Sequence, residues 1–426
     1  MSVSYGFLST SPPTQCGLAT FNQALFQHLT DGPDGGGVVS VVDTPTGPTG
    51  AETVAHLVAD SRLSMLTAAA VLNRYDVVIV QHEYGIYAGR DGDQVLDVLH
   101  RLQVPVIVVL HTVLGSPTPN QRLVLEQIVE AADAVVVMSK TAAARLFNKY
   151  VIDGSKVAAI THGAPAPVVP GAVPTRVSDL VSGTVSHVVS ALTAHTPDFA
   201  YFDGFAEFTA PAAPAAPTGP TILSWGLLGP GKGLEWVIEA LAHLRDLTPA
   251  PRYVIAGQTH PKVLEREGEA YRTSLMNRAV ALGVDSMVRF DPGYRDTRSL
   301  QRLVRTADVV VLPYDSSEQA TSGVLIEAVA AQRPVVATRF PHACELLANG
   351  SGLLVGHRDP AGIAAALRRV LTEPGLAARM TAASARLAPD LAWPAVAARY
   401  RDLAAGLLAA RAAHGARADV AAGFAA

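Results

Sequence analysis

Short apolar runs alternate with amphipathic stretches over two long segments of the chain, which predicts strands interleaved with helices and so parallel sheets. In the first segment the runs fall at residues 4–9, 37–43, 76–82, 104–112 and 133–139, with 157–161 a sixth. In the second they fall at residues 221–226, 252–257, 286–293, 307–314, 333–339 and 352–357. Runs such as VPVIVVL at 104–110 do not alternate polar with apolar residues. That pattern belongs to strands covered on both faces by helices.

Each segment therefore reads as an α/β, Rossmann-like domain, and two such domains imply a cleft. The expected organisation is a first domain over residues 1–167, a linker or insertion over 168–220, a second domain over 221–392, and a C-terminal helix over 393–426. The region 168–220 is rich in proline, alanine, serine and threonine, including APAAPAAPTGP at 210–220. Such a stretch cannot hold a regular helix or inner strand throughout. Within it, residues 179–195 carry enough apolar positions for one short helix.

The 426 residues suit two cores rather than one. A hydrophobic share of 49% with 16% charged residues raises the question of a membrane protein. The apolar runs answer it, because each is too short to span a bilayer. The opening MSVSYGFLSTSPP lacks the pattern of a secretory signal, and two cysteines, Cys16 and Cys344, make neither a disulfide framework nor a metal cluster. A reducing, cytoplasmic setting is expected. A net charge of −4 offers no general attraction to nucleic acid, so an anionic ligand must be held locally.

Ligands of open parallel sheets bind beyond the carboxyl ends of the strands, where helix N-termini present free N–H groups. The first strand runs into STSPPTQCGLATF, in which Gly17 opens a helix. In the second domain WGLLGPGKGLEWVIEAL places Gly229, Gly231 and Gly233 around Lys232, just before an amphipathic helix. A lysine is unfavourable at the positive end of a helix unless an anion such as a diphosphate binds there. After the run ADVVVLPY comes DSSEQATSGVLIEAVAA, where Ser322, Gly323 and Val324 begin a helix and Glu327 lies one turn inside, within reach of a ribose or sugar hydroxyl. The first domain supplies QHEYGIY and LHTVL, with His82, Glu83, Tyr84 and His111 at the ends of adjacent strands. Imidazoles there can bond sugar hydroxyls or stabilise developing charge near neutral pH. No grouping of the HExxH kind points to a metal.

Taken together, CGLATF, QHEYGIY, LHTVL, GLLGPGKGLE, SGVLIEAVA and a helix beginning near Trp393 resemble the family-four retaining glycosyltransferases of the GT-B type (group 1). The resemblance spans nearly the whole chain apart from residues 168–218. It implies two facing Rossmann-like domains, with the C-terminal helix 393–426 packing back on the first, Gly17 toward the donor diphosphate, His111 toward the transferred sugar, Lys232 and Gly231 on the phosphates, and Ser322, Gly323 and Val324 beside them. Glu327 matches the second glutamate of a Glu-x7-Glu motif and would hold the donor ribose. His82, Glu83 and Tyr84 fall on the acceptor side. Two departures stand out: Leu227 replaces a common arginine of a GRL segment, and Gln319, rather than Glu318, occupies the first glutamate position.

The resemblance implies transfer of a hexose from a GDP- or UDP-linked donor to an acceptor hydroxyl, with retention and without a metal or other cofactor. A nucleotide-sugar-binding regulatory protein without catalysis remains an alternative on the strength of Leu227 and Gln319. A nucleotide-sugar 2-epimerase is a third reading. Donor base, acceptor and oligomeric state are left open by these motifs, as is peripheral contact with a membrane.

Overall fold

The protein is described by a computed structural model covering residues 3–30, 35–44, 50–165 and 219–423. Most of the proposed insertion, including the helix expected at 179–195, lies outside the described residues. The first segment builds a seven-stranded sheet from β1 (Tyr5–Ser9), β2 (Gly36–Val42), β3 (Thr53–Val58), β4 (Val77–His82), β5 (Val106–Leu110), β6 (Ala134–Val137) and β7 (Val157–Ala159). Their order is β3-β2-β1-β4-β5-β6-β7, and every pairing is parallel.

The second segment contributes β8 (Thr221–Trp225), β9 (Arg252–Ala256), β10 (Val288–Asp291), β11 (Val309–Leu312), β12 (Val335–Thr338) and β13 (Gly352–Val355). These form a six-stranded parallel sheet in the order β10-β9-β8-β11-β12-β13. The apolar runs become the inner strands: β1, β4, β5, β6, β8, β11 and β12 are buried along their length. Helices cover both faces, because each such strand must bury side chains on both sides.

One strand was not anticipated. β3 lies at the sheet edge, and of its six residues only Leu57 is buried. An edge strand covered on one side needs no continuous apolar run, which is why TVAHLV carries so weak a signal.

Strand order reverses direction between β1 and β4 in one sheet and between β8 and β11 in the other. At such switch points the loops leaving the two central strands diverge and open a crevice at the strands' carboxyl ends. The chain returns to the first sheet beside the point where it left: Ala164 N–H donates to Leu391 O at 2.7 Å and Trp393 N–H to Ala164 O at 3.0 Å. The helix Trp393–Gly423 then packs on the helix Gly17–Leu29, with Trp393, Val396, Ala397, Tyr400 and Ala404 buried among Phe7, Phe21, Leu25 and Ile160. Among the described residues no helix is long and apolar enough to cross a membrane.

Candidate active site

Beyond the end of β8 the chain passes through Gly226–Gly233 into the helix Leu234–Ala242. Gly233 caps that helix at φ +68°, and a β-carbon there would lie 1.9 Å from Pro313 O. Only glycine permits this approach, and the approach draws the Lys232 loop onto the loop leaving β11. Asp315 ties the two together. Its N–H donates to Gly231 O at 3.0 Å, and its carboxylate accepts from Trp236 Nε1 at 2.8 Å and pairs with Arg358 at 3.3 Å. Lys232 Nζ sits 4.9 Å from the centre of the Tyr314 ring, and no carboxylate pairs with it among the described residues. Burial lowers its pKa. A cation with a ring for company and no counter-charge is a ready partner for an anion.

The loop after β11 leads to the helix Gly323–Ala330, capped by Ser322, whose Oγ accepts from Leu325 N–H at 3.3 Å. Ser322 N–H itself donates to His342 Nδ1 at 2.9 Å. Two amides, of Gly323 and Val324, remain without a hydrogen-bond partner among the described residues. One turn on, Glu327 accepts from Trp225 Nε1 at 3.1 Å, and burial pushes its carboxyl up to about 7 against the lowering effect of that bond. The partner that a buried glutamate requires is thus the indole at the end of β8.

The neighbouring carboxamide and carboxylate are turned to different tasks. Gln319 Nε2 donates to Thr321 O at 2.6 Å, within its own loop. Glu318 is half exposed; it accepts from Gly115 N–H at 3.0 Å and pairs with Arg145 at 3.3 Å. Its carboxylate is thus engaged from the first domain, by Gly115 in the loop after β5 and by Arg145 of the helix Lys140–Lys149.

In the first sheet, Gly17 opens the helix Gly17–Leu29 with Cys16 as its cap, and a β-carbon at Gly17 would meet nothing within 4 Å. His111 follows β5. Its Nε2 is 2.8 Å from Gln81 Oε1, and its ring meets Phe21 edge-on at 4.8 Å. Burial, with His162 and His82 adding to it, pushes His111 down to about 3, so the ring is neutral. His82, the last residue of β4, is fully buried, neither of its ring nitrogens has a hydrogen-bond partner among the described residues, and burial pushes it down to about 4. It touches Tyr84 edge-on at 5.1 Å. Glu83 is raised by burial; it accepts from Tyr84 N–H at 3.1 Å and from the Thr112 hydroxyl. The Tyr84 hydroxyl donates to Gln121 O at 3.3 Å.

The structure therefore gathers Lys232, Gly231, Ser322, Gly323, Val324 and Glu327 around the β8–β11 switch point, and Gly17, His82, Glu83, Tyr84 and His111 around the β1–β4 switch point and the neighbouring end of β5. The two groups meet at a residue that the motifs did not single out. His162, just beyond β7, has Nδ1 2.6 Å from Gly163 O and stands edge-on to Phe21 at 4.9 Å. A β-carbon on Gly323 would lie 2.8 Å from its Nε2. The rule that selects His82 and His111, a histidine just past a strand end, selects His162 as well. Phe21, Gln81 and Trp225 lie within CGLATF, QHEYGIY and WGLLGPGKGLE but are not singled out there, and His342 lies outside every quoted segment.

Two parallel α/β sheets with polar loops at both switch points define an architecture of two Rossmann-like domains, and comparison with known proteins narrows it. Residues 207–386 match the family model described as Glycosyl transferases group 1, and residues 29–166 match Glycosyltransferase Family 4. Each model covers less than half of the chain, and together they show that both segments are similar to glycosyltransferases of group 1 and family 4. A D-inositol 3-phosphate glycosyltransferase of Corynebacterium efficiens is 27% identical over 316 residues, covering 71% of this chain and 65% of that protein. The counterpart from Streptomyces avermitilis is 28% identical over 295 residues, covering 68% of this chain and 55% of its own length, so this chain spans only about 55–65% of such relatives. Among solved structures, Anabaena HepE in complex with UDP and glucose superposes with a TM-score of 0.68 at 16% identity, covering 95% of this chain and all of that one. Sucrose-phosphate synthase of Thermosynechococcus elongatus gives 0.68 at 16% identity, covering 96% and 100%. These two likenesses show the shared fold.

Proposed function

We propose that this protein transfers a hexosyl group from a nucleoside-diphosphate sugar to an acceptor hydroxyl, with retention of anomeric configuration and without a metal ion. The observation that carries the proposal is the pairing, at adjacent strand ends, of an unneutralised lysine with two free helix amides. Lys232 meets the charge of a departing diphosphate, and the Gly323 and Val324 N–H groups match two oxygens of one phosphate. Glu327 takes the donor ribose, as its place in the family motif implies. His111 faces the transferred sugar, with Gln81 fixing its ring. Glu83 and Tyr84, beside the same strand ends, face the acceptor, with His82 buried beneath them.

In the transfer step the bond from the anomeric carbon to the diphosphate oxygen breaks and the bond from the acceptor oxygen to that carbon forms. The proton of the acceptor hydroxyl passes to the departing phosphate. Positioning and fixed dipoles supply the acceleration, and no covalent sugar–enzyme adduct is required. Gln319 stands where a carboxylate is usual, and such a step does not need one. Among the described residues no group of three or more His, Cys, Asp or Glu side chains is arranged to hold a metal. A UDP- or GDP-linked hexose is the donor class; the HepE complexes with UDP-glucose and with UDP and glucose are consistent with it.

The test is product formation from a panel of UDP- and GDP-hexoses with sugar and polyol acceptors, followed by mass spectrometry. Lys232→Ala should lower turnover by about 10²- to 10³-fold while the melting curve stays that of the wild type. Turnover near wild-type would overturn the role of the lysine. Conversion of the donor sugar with no acceptor present would point to the epimerase instead.

A further inference from the structure

His342 lies in the short helix Pro341–Leu346 after β12, 2% exposed, and the transfer chemistry described above makes no use of it. It makes two hydrogen bonds to one loop. Its backbone N–H donates to Gln319 O at 3.2 Å, and its Nδ1 accepts the Ser322 N–H at 2.9 Å. A backbone N–H can only donate, so Nδ1 is the unprotonated nitrogen and the ring carries its proton on Nε2. Of the first amides at this end of the helix Gly323–Ala330, Leu325 is taken by the Ser322 hydroxyl and Ser322 by His342. What remains free among the described residues is the adjacent pair Gly323 and Val324.

We propose that His342 is a positioning residue of the donor site: by clamping the 319–322 loop at both ends, it fixes which two amides face the donor phosphate and holds the Gln319 segment beside them. This rests on the function proposed above. The choice of a histidine follows from the geometry. A buried acceptor is needed at the Nδ1 position, and an aliphatic side chain there would leave the Ser322 N–H buried without a partner. Burial pushes the ring down to about 4 in spite of Glu345, which raises it, so the acceptor survives throughout ordinary assay conditions. The charged or titratable groups that face it are Glu345 on its own helix and His162 from the first sheet.

Steady-state kinetics on the full chain test the proposal with three variants. Asn presents its carbonyl oxygen where Nδ1 stands, Gln presents it farther out near Nε2, and Leu presents nothing. His342→Leu should raise the donor KM and lower kcat/KM for the donor by about 10- to 100-fold, with the acceptor KM unchanged. His342→Asn should stay within about 3-fold of wild type, and His342→Gln should resemble Leu, so Asn against Gln carries the test if the Leu variant fails to fold. UDP and GDP binding by calorimetry should follow the same order. A merely structural role would lower the active fraction, reducing kcat at constant KM in all three variants; that result, or wild-type donor kinetics in the Leu variant, overturns the proposal. Absence of turnover by the wild type with every nucleotide sugar would instead sink the function itself.

Discussion

Glu327 shows how a single side chain ties the fold to the proposed donor. Its carboxyl is raised from 4.5 to about 7 by burial, so the folded protein holds a proton that the unfolded chain has released. Between about pH 4.5 and 7 the native state binds more protons than the unfolded one, and stability from this group falls as pH rises through that window. Glu327→Gln should flatten this part of the profile of melting temperature against pH. A ribose hydroxyl donating to the carboxylate favours its ionised form, so donor binding should expel a proton near neutrality. Calorimetry in buffers of different ionisation enthalpy should record that release in the wild type and lose it in Glu327→Gln. The position of Glu327 one helical turn past Ser322 was legible in the sequence. Its indole partner was not, because Trp225 lies 102 positions away and meets it only through the pairing of β8 with β11.

At the scale of elements, the helix Lys140–Lys149 joins the two sheets through its first turn. Ser139 Oγ accepts from Ala142 N–H at 2.9 Å and donates to Ala320 O at 2.7 Å. Glu345, from beyond β12, accepts from Lys140 N–H at 2.8 Å, Thr141 N–H at 2.9 Å and the Thr141 hydroxyl at 3.0 Å. An element of the first sheet is therefore capped by a carboxylate of the second. Glu345→Ala should cost about 0.5–2 kcal/mol, the usual loss for a helix cap, measured by denaturant melts. Ser139 before an amphipathic run is readable as a cap. A cap supplied 205 residues away obeys no local rule.

For the whole molecule, the return of the chain is decisive. Trp393 is 4% exposed and packs on Phe21 at 5.2 Å and against Gly163, where any β-carbon would collide with its ring. Phe21 in turn contacts both His111 and His162. The C-terminal helix is thus continuous with the packing that holds the imidazoles. Trp393→Ala should destabilise the protein by about 3–5 kcal/mol in denaturant titration, and should weaken donor turnover beyond the loss of folded protein, through the loosened Phe21 ring. An unchanged specific activity per folded molecule would break that link.

The amino-acid sequence by itself determined the alternation of buried strands and amphipathic helices, the placement of glycines where the backbone turns tightly, and the lysine and helix starts at strand ends. Each of these follows from periodicity or from the conformational freedom of one residue type, and such properties are local. Tertiary structure alone decided that Glu318 turns to Arg145 while Gln319 stays in its own loop, that His162 meets Gly323, and that His342 takes one amide and leaves two free. Those outcomes depend on the strand order, which brings distant segments to one crevice, and on hydrogen-bond partners chosen by proximity in space.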